Sequence, residues 1–413
     1  MRISTVTMFE QSTASINRQQ NDFLKVSQQI ASGKRVVNPS DDPQAASRAV
    51  GVDQSKAITQ QFADARVSAR NSLSQTESIL NSVSDAITSA KTLLVQASSD
   101  TLSDVDRQSV ASELKGVYET MIGQANATDG NGRYLFGGYA DNTPPFVSDA
   151  DGNTRYQGSD NSREQRVDSS RLMPVTENGI TIFQSVPSGA GYIAEAQANE
   201  GSVTFSGPQV NDINNENFGE SYKVVFGEVA GEPTYSVQRF DGTDYVAVDD
   251  PALTNQPYSG DGQRVAFGGV SITLNGVPED GDEILVARAG SAERPADLFR
   301  TMEQAIRVLE NPAVTAADKA ELRNTLNTSM RDLDNALDNV LTVRASAGAR
   351  LNELDVIDSV GSNRMLNYEQ TLSDLVDLDY ASAISEYSLR QVGLQAAQKA
   401  FVDIKGMSLF DYM

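Results

Sequence analysis

The two ends of this 413-residue chain share one spacing, and that spacing limits what the whole can become. Near the N-terminus, Phe9, Thr13, Ile16, Gln20, Phe23, Ser27 and Ile30 recur at alternating steps of four and three residues. Near the C-terminus, Ile384, Tyr387, Gln391, Leu394, Gln398 and Phe401 keep the same rhythm. Such a period lays one stripe along an α-helix and suits packing against a second helix. Thr, Gln and Ser occupy several seam positions, so each stripe is thin and neither helix is expected to fold stably alone. Both ends read as assembly elements that order against each other and against neighbouring subunits. The rest of the chain is a body carried on them.

Inside these ends the helical pattern strengthens. After Ser32-Gly33, the stretch Lys34 to Ala46 holds two turn signals, Asn38-Pro39 and Asp42-Pro43, because each proline pushes its predecessor out of the helical region. Ser40, Asp41 or Asp42 can cap the next helix, with Pro43 in its first turn. The stretch fits either an ordinary helix–loop–helix corner or a hinge between arm and body. From Gln44 onward, Leu73, Thr76, Leu80, Val83, Ile87, Ala90, Leu94 and Ala97 follow the heptad rhythm without a break. Ser98 to Asp100 predicts a corner, with Ser103 or Asp104 as a cap. A helix carrying Val110, Leu114, Val117 and Met121 then runs to the turn Asp129-Gly130-Asn131-Gly132. On the return, Arg294 to Asp297 begins a helix that breaks at Asn311-Pro312. A second heptad run follows, through Leu326, Ser329, Leu333, Ala336, Val340, Val343 and Ala347, extended by Leu351, Leu354 and Ile357 before Gly361. Long helices on either side of an insertion should pair as an antiparallel bundle.

The insertion differs in kind. Residues 133–290 are rich in Gly, Asp, Asn, Thr and Pro, and Tyr222–Phe226, Thr234–Val237, Val265–Phe267 and Val270–Leu274 read as strands. Asp241-Gly242, Asn275-Gly276 and Asp280-Gly281 read as hairpin turns between them. The fold class is therefore mainly α with an inserted β-rich domain, of one or two subdomains. Its parts are an N-terminal arm (1–43), half of a helical rod (44–132), a β-rich outer domain (133–292), the other half of the rod (293–370) and a C-terminal arm (371–413).

Composition removes whole classes of function. The chain has no Cys, His or Trp, so no Ser-His-Asp or Cys-His triad, no disulfide and no HExxH metallopeptidase can be built. A chain without Cys is also compatible with export in an unfolded state. Net charge is −23, which opposes nucleic-acid binding. It is concentrated in the middle: residues 131–290 hold nine Lys/Arg against twenty-three Asp/Glu, whereas residues 1–50 hold six against four. Asp151 to Ser162 begins like a calcium loop, but glycine stands second and Ser162 holds the twelfth place, where a bidentate Glu is needed. Gly137-Gly138 and Gly268-Gly269 lack the context of a nucleotide-binding loop. No run approaches the roughly 18 apolar residues of a membrane span, and the N-terminus lacks a cleavable-signal pattern. The expectation is a cytoplasmic protein or one exported without a cleaved signal, with no metal and no cofactor.

Two motifs at the ends resemble a known family. Ala31-Ser-Gly-Lys-Arg-Val-Val-Asn-Pro-Ser-Asp-Asp-Pro43, preceded by Met1-Arg-Ile-Ser, is similar to the N-terminal signature of the bacterial flagellin family. Ala396-Ala-Gln-Lys-Ala-Phe-Val-Asp-Ile-Lys-Gly-Met-Ser-Leu-Phe-Asp-Tyr412 resembles its C-terminal helix. Gly132-Arg-Tyr-Leu-Phe-Gly-Gly-Tyr139 and Asp379-Tyr-Ala-Ser-Ala-Ile384 are closest to its hook-associated members at the junction of hook and filament, with bulk flagellin as the alternative. The resemblance covers about residues 1–140 and 290–413. It implies an extracellular structural subunit, not an enzyme, exported by the flagellar type III apparatus and assembled as a ring. The implied partners are further copies of itself, the other hook-associated junction protein, flagellin and an export chaperone, with no nucleic acid and no membrane. It also implies inner-tube helices over Ile3 to Ile30 and Leu394 to Leu409. The candidate subunit-packing residues are thus Ile3, Phe9, Ile16, Phe23, Ile30, Ile384, Tyr387, Leu394, Phe401, Ile404 and Leu409. Asn38, Pro39, Asp41, Asp42 and Pro43 would shape the corner between arm and rod.

Overall fold

The structure, a computed structural model, describes residues 5–406 apart from 100, 150, 151 and 198. The chain divides into two compact units: Val67–Leu354, and Met1–Arg66 together with Asp355–Met413. In chain order come α1 (Thr5–Ser32), α2 (Pro43–Ala97) and α3 (Asp104–Ala125), then β1 (Phe146–Ser148), β2 (Thr154–Tyr156), β3 (Glu164–Asp168), β4 (Arg171–Pro174) and α4 (Gly179–Phe183). A run of strands follows: β5 (Tyr192–Ala196), β6 (Thr204–Val210), β7 (Tyr222–Val229), β8 (Glu232–Phe240), β9 (Tyr245–Ala247), β10 (Gln256–Pro257), β11 (Gln263–Phe267), β12 (Val270–Asn275) and β13 (Glu283–Arg288). The chain closes with α5 (Leu298–Glu310), α6 (Ala316–Val376) and α7 (Tyr380–Gly406).

Every residue of the α2 seam from Leu73 to Ala97 is buried, as are Leu326, Ser329, Leu333, Ala336, Val340, Val343 and Ala347 of α6. With α3 and α5 these helices enclose one core. Glu77 pairs with Arg344 at 3.0 Å and Lys91 with Asp334, an ascending number matched to a descending one, so α2 and α6 run antiparallel. α3 starts where its cap directs. Ser103 Oγ accepts from the Asp106 N–H while the Asp106 carboxylate accepts from the Ser103 N–H, a reciprocal capping box. The helix ends at Ala125, short of the Asp129–Gly132 turn expected to stop it. The Asn126 amide instead brackets the backbone of Phe146, donating to its carbonyl at 2.8 Å and accepting from its N–H at 3.0 Å.

The first part of the insertion belongs to the helical core. Phe146 and Phe183 pack against Phe299 of α5, and Phe136 against Phe183, with ring centroids 4.9–5.9 Å apart. The hairpins β1–β2 and β3–β4 and the short α4 lie on this side. From β5 onward the chain forms a sandwich with its own core. One sheet has the order β10-β8-β7-β13-β5, with β9 also on β8; the other is β11-β12-β6. The four sequence-predicted strands lie in β7, β8, β11 and β12. Asp241-Gly242 does turn a hairpin, between β8 and β9. Asn275-Gly276 and Asp280-Gly281 do not: both lie on the crossover that carries the chain from β12 to β13 in the other sheet. The hairpins β7–β8 and β11–β12 turn instead at Ala230-Gly231 and Gly268-Gly269.

In the other unit, α6 continues through Gly361 to Val376. The sequence pattern places the end of the seam before that glycine, and the helix runs past it. A Cβ at Gly361 would stand 2.7 Å from the Arg66 Nη2, and Arg66 is itself buried against Asp358. The helix uses glycine to admit a guanidinium, so the residue marks a packing position and not an end.

Candidate functional site

α1 and α7 pack side by side in opposite directions. Phe9 meets Phe401 with ring centroids 5.1 Å apart, and Phe23 meets Tyr387 at 4.8 Å. Between these contacts Asp22 pairs with Arg390 at 3.0 Å, which fixes the same register by charge. The pair is thin. Among its described residues Val26 and Ala383 are closed off, at 4% and 6% exposure. Ile16, Phe23, Ile30, Tyr387, Leu394 and Phe401 are half-buried, whereas Phe9 and Ile384 are 46% and 55% exposed. Ile3 and Leu409 lie outside the described residues, as does the side chain of Ile404.

Val26, Ala383, Asp22 and Arg390 were not singled out from sequence. The four-three template places the seam on Ser27 and Ile384, but a straight helix drifts from that template. The signal available was the apolar neighbour of Ser27, Val26. On α7 the small Ala383 takes the inner place, which lets the backbones approach, and Ile384 is left outside.

The corner is built by carboxylates. Asp41 Oδ2 accepts from the N–H groups of Val37 and Asn38 at 3.2 and 2.9 Å, and Oδ1 pairs with Lys25 at 3.0 Å. The Asn38 carbonyl accepts from the Asp41 N–H across the turn that contains Pro39. Asp42 caps α2: Oδ1 accepts from the Ala45 N–H at 3.0 Å, Oδ2 takes Arg35 at 3.1 Å, and Pro43 fills the first helical position. The Asn38 N–H and Lys25 hold the Asp41 carboxyl below its usual range, and the Ala45 N–H and Arg35 do the same for Asp42.

This corner is fastened to the one between α6 and α7. Arg35 donates its N–H to the Val376 carbonyl at 2.8 Å and its Nη2 to that of Leu375 at 2.7 Å, while the Leu378 N–H donates to Gly33 at 3.0 Å. Gly33 has φ +69°, which favours glycine, and a Cβ there would also press on the Tyr380 hydroxyl at 2.9 Å. Asp379 then caps α7 by accepting from Ala381 and Ser382.

Among the described residues no group of three or more Asp and Glu side chains is arranged to hold a metal, and no helix is long and apolar enough to cross a membrane. What the arrangement offers is apolar surface half covered by one neighbour and free to be covered by others.

Comparison with known proteins gives the same direction. A family model described as the bacterial flagellin N-terminal helical region matches residues 3–141. The chain is similar to flagellar hook-associated protein 3 of Escherichia coli, with 34% identity over 411 residues, 99% of each chain. Among solved structures it resembles FlgL of Xanthomonas campestris, at 29% identity with a TM-score of 0.65, covering 78% of this chain and 99% of that one. It also resembles the flagellar junction protein FlgL of Legionella pneumophila, at 25% identity and TM-score 0.65, covering 80% and 100%. The chain belongs to the hook-associated protein 3 family of the bacterial flagellins.

Proposed function

We propose that this chain is an extracellular structural subunit of the bacterial flagellum, forming the junction between the hook-associated zone and the flagellin filament, as the named relatives suggest. The observation that carries the reading is the two-sidedness of α7. One side lies on α1. Elsewhere on α7, Ile384, Leu389, Val392 and Val402 are all more than half exposed, so the helix is apolar well beyond its contact with α1. These apolar side chains stand among exposed polar ones such as Glu386, Gln391, Gln395 and Lys399, and they are the part of the outer surface that gains most from being covered by a neighbour. Burying one such side chain in full stabilises by about 1.5–3 kcal/mol, which several copies together can supply to each other. On α1 the outer residues include Glu10, Asn17, Asn21 and Gln28, beside the exposed Phe9 and Leu24.

In this reading copies of the chain close a ring, with residues 1–43 and 371–413 packed as an inner tube through Ile3, Phe9, Ile16, Phe23, Ile30, Ile384, Tyr387, Leu394, Phe401, Ile404 and Leu409. Asn38, Pro39, Asp41, Asp42 and Pro43 turn the arm into the rod, made of 44–132 and 293–370, and the insertion 133–292 carries its sandwich outward. The other hook-associated junction protein lies on one side of the ring and flagellin on the other. An export chaperone holds the arms before assembly. No reaction, cofactor, nucleic acid or membrane enters the role. Immunogold electron microscopy of cells expressing the chain, with antibody against residues 190–290, tests it. Gold in a band where hook meets filament is the expected result; gold along the whole filament would make the chain a bulk flagellin.

A further inference from the structure

Within Val67–Leu354 the helical core and the sandwich core share no side chain among the described residues, and much of what joins them is polar. α6 presents a row of polar side chains, Asn324, Asn327, Thr328 and Asp332, at the spacing of one helix face. Asn324 Nδ2 donates to the Val203 carbonyl at 2.8 Å, and its Oδ1 accepts from the Phe205 N–H at 3.2 Å. One amide thus stands in for a neighbouring strand at the edge of the smaller sheet. Thr328 Oγ1 does the same for the larger sheet, donating to the Ala194 carbonyl at 2.7 Å.

One turn further, Arg294, from the segment between β13 and α5, is held between two carboxylates. Its Nη1 and Nη2 donate to the two oxygens of Asp332 at 2.9 and 2.7 Å. Its Nε lies 2.8 Å from Glu195 of β5, an ion pair without the alignment of a hydrogen bond. The guanidinium side chain is 2% exposed. A bidentate fork fixes angle as well as distance, and a buried ion pair is weak evidence of net stability, which leaves geometry as the role argued for it. A small apolar patch, Ala190, Ile193 and Ala289, lies near where the two linkers meet.

We propose that Arg294, Asn324, Thr328 and Asp332 form an orientation lock that holds the sandwich at one angle to the helical rod, and that opening it frees the sandwich to swing while both cores stay folded. Copies built into one assembly would then display their sandwiches at one common angle. The absence of cysteine makes the test direct, because labels can be placed at will. Val105→Cys on α3 and Val246→Cys on β9, both exposed, carry spin labels whose separation reports the angle. The full chain should give one narrow distance distribution. Arg294→Lys, which keeps the charge and loses the fork, should broaden it; so should Asn324→Ala with Thr328→Ala, which leaves the buried ions in place. Hydrogen exchange of β7, β13 and the Leu80–Leu94 segment of α2 should keep its protection in both variants. A distribution as narrow as the parent's in either variant overturns the lock. Loss of sandwich protection along with the broadening overturns it too, because the row would then be part of a single core.

Discussion

Leu80 and Ile16 occupy equivalent places, each on the inner stripe of a long amphipathic helix, and they end differently. Leu80 is fully buried because α2, α3, α5 and α6 surround it. Ile16 is half-buried because the main packing of α1 among the described residues is against the single helix α7. Two helices can shield one flank of each other and no more, so a pair cannot close a core whatever its stripe contains. The difference teaches that the rod closes a core of its own, while the arms leave apolar surface open, which on the proposed function a neighbouring copy covers. Ordering entropy is then offset only when that neighbour is present.

The sharpest way to break the comparison is to cut. Removing residues 1–40 or 375–413 should leave the thermal unfolding of the rod close to that of the full chain. The same variants should fail completely to restore filaments in cells lacking the native junction protein. Filament growth from either truncated form would show that the arms are not the assembly elements.

Point substitutions repeat the contrast at lower amplitude. Phe299→Ala removes a fully buried ring that touches Phe146, Phe183 and Tyr118, and should cost about 3–5 kcal/mol in chemical denaturation. Phe23→Ala removes a ring that meets Tyr387 in a half-open pair, and should cost the free chain less than about 1 kcal/mol. Its penalty should appear instead in assembly. Equal losses in the free chain would mean that the arm pair is as closed as the rod.

These amplitudes follow what was legible in the residues. The α2 seam and its α6 counterpart could be read to the residue, because a bundle core rewards strict apolar periodicity. The arms were legible in kind but not in register. Their seams are mixed polar and apolar, so nothing in the pattern decides between Val26 and Ser27 on one helix, or Ala383 and Ile384 on the other. In the sandwich, the strands of β7, β8, β11 and β12 showed through their alternation, but the turn between β7 and β8 did not. It puts Ala230 at φ +55° before Gly231, a place where Asn or Asp is the usual signal. The Arg294 cage was invisible for a different reason: Glu195, Arg294 and Asp332 are joined by the fold and by no spacing. Gly361 misled because a mid-helix glycine that ends a helix and one that admits an arginine look alike until the partner is known.

That last ambiguity yields a test inside a single helix. Gly348 and Gly361 both lie in α6, the first with open space around its missing Cβ, the second against Arg66. Gly348→Ala should stabilise by about 0.5–1 kcal/mol, the ordinary helix-propensity gain. Gly361→Ala should instead destabilise by roughly 1 kcal/mol, since the buried guanidinium must shift away from the new methyl and strain its pairing with Asp358. Urea denaturation of the two variants decides it. Equal gains would show that Arg66 moves aside freely and that Gly361 has no packing role.

The smallest effect separates the two regions by acid. Asp41 and Asp42 have folded-state pKa values below their ordinary 3.8, through the Asn38 N–H with Lys25 and the Ala45 N–H with Arg35 respectively. Their contribution is therefore complete above 3.8 and is lost as pH falls through the lowered folded values. Asp297, which caps α5 through the N–H groups of Phe299 and Arg300, is shifted the other way by burial. Its folded form favours the proton, so its cost accumulates as pH rises past 3.8 and acid relieves it. Acidification should accordingly open the Val37–Asp42 corner while the α5 cap holds. Limited proteolysis by an acid-active protease should cut the corner first, and Asp42→Asn, which removes one of the two titrating groups, should weaken that response. Simultaneous opening of the corner and α5 would mean that acid acts on the chain as a whole, and the distinction drawn between arm and rod would not extend to their caps.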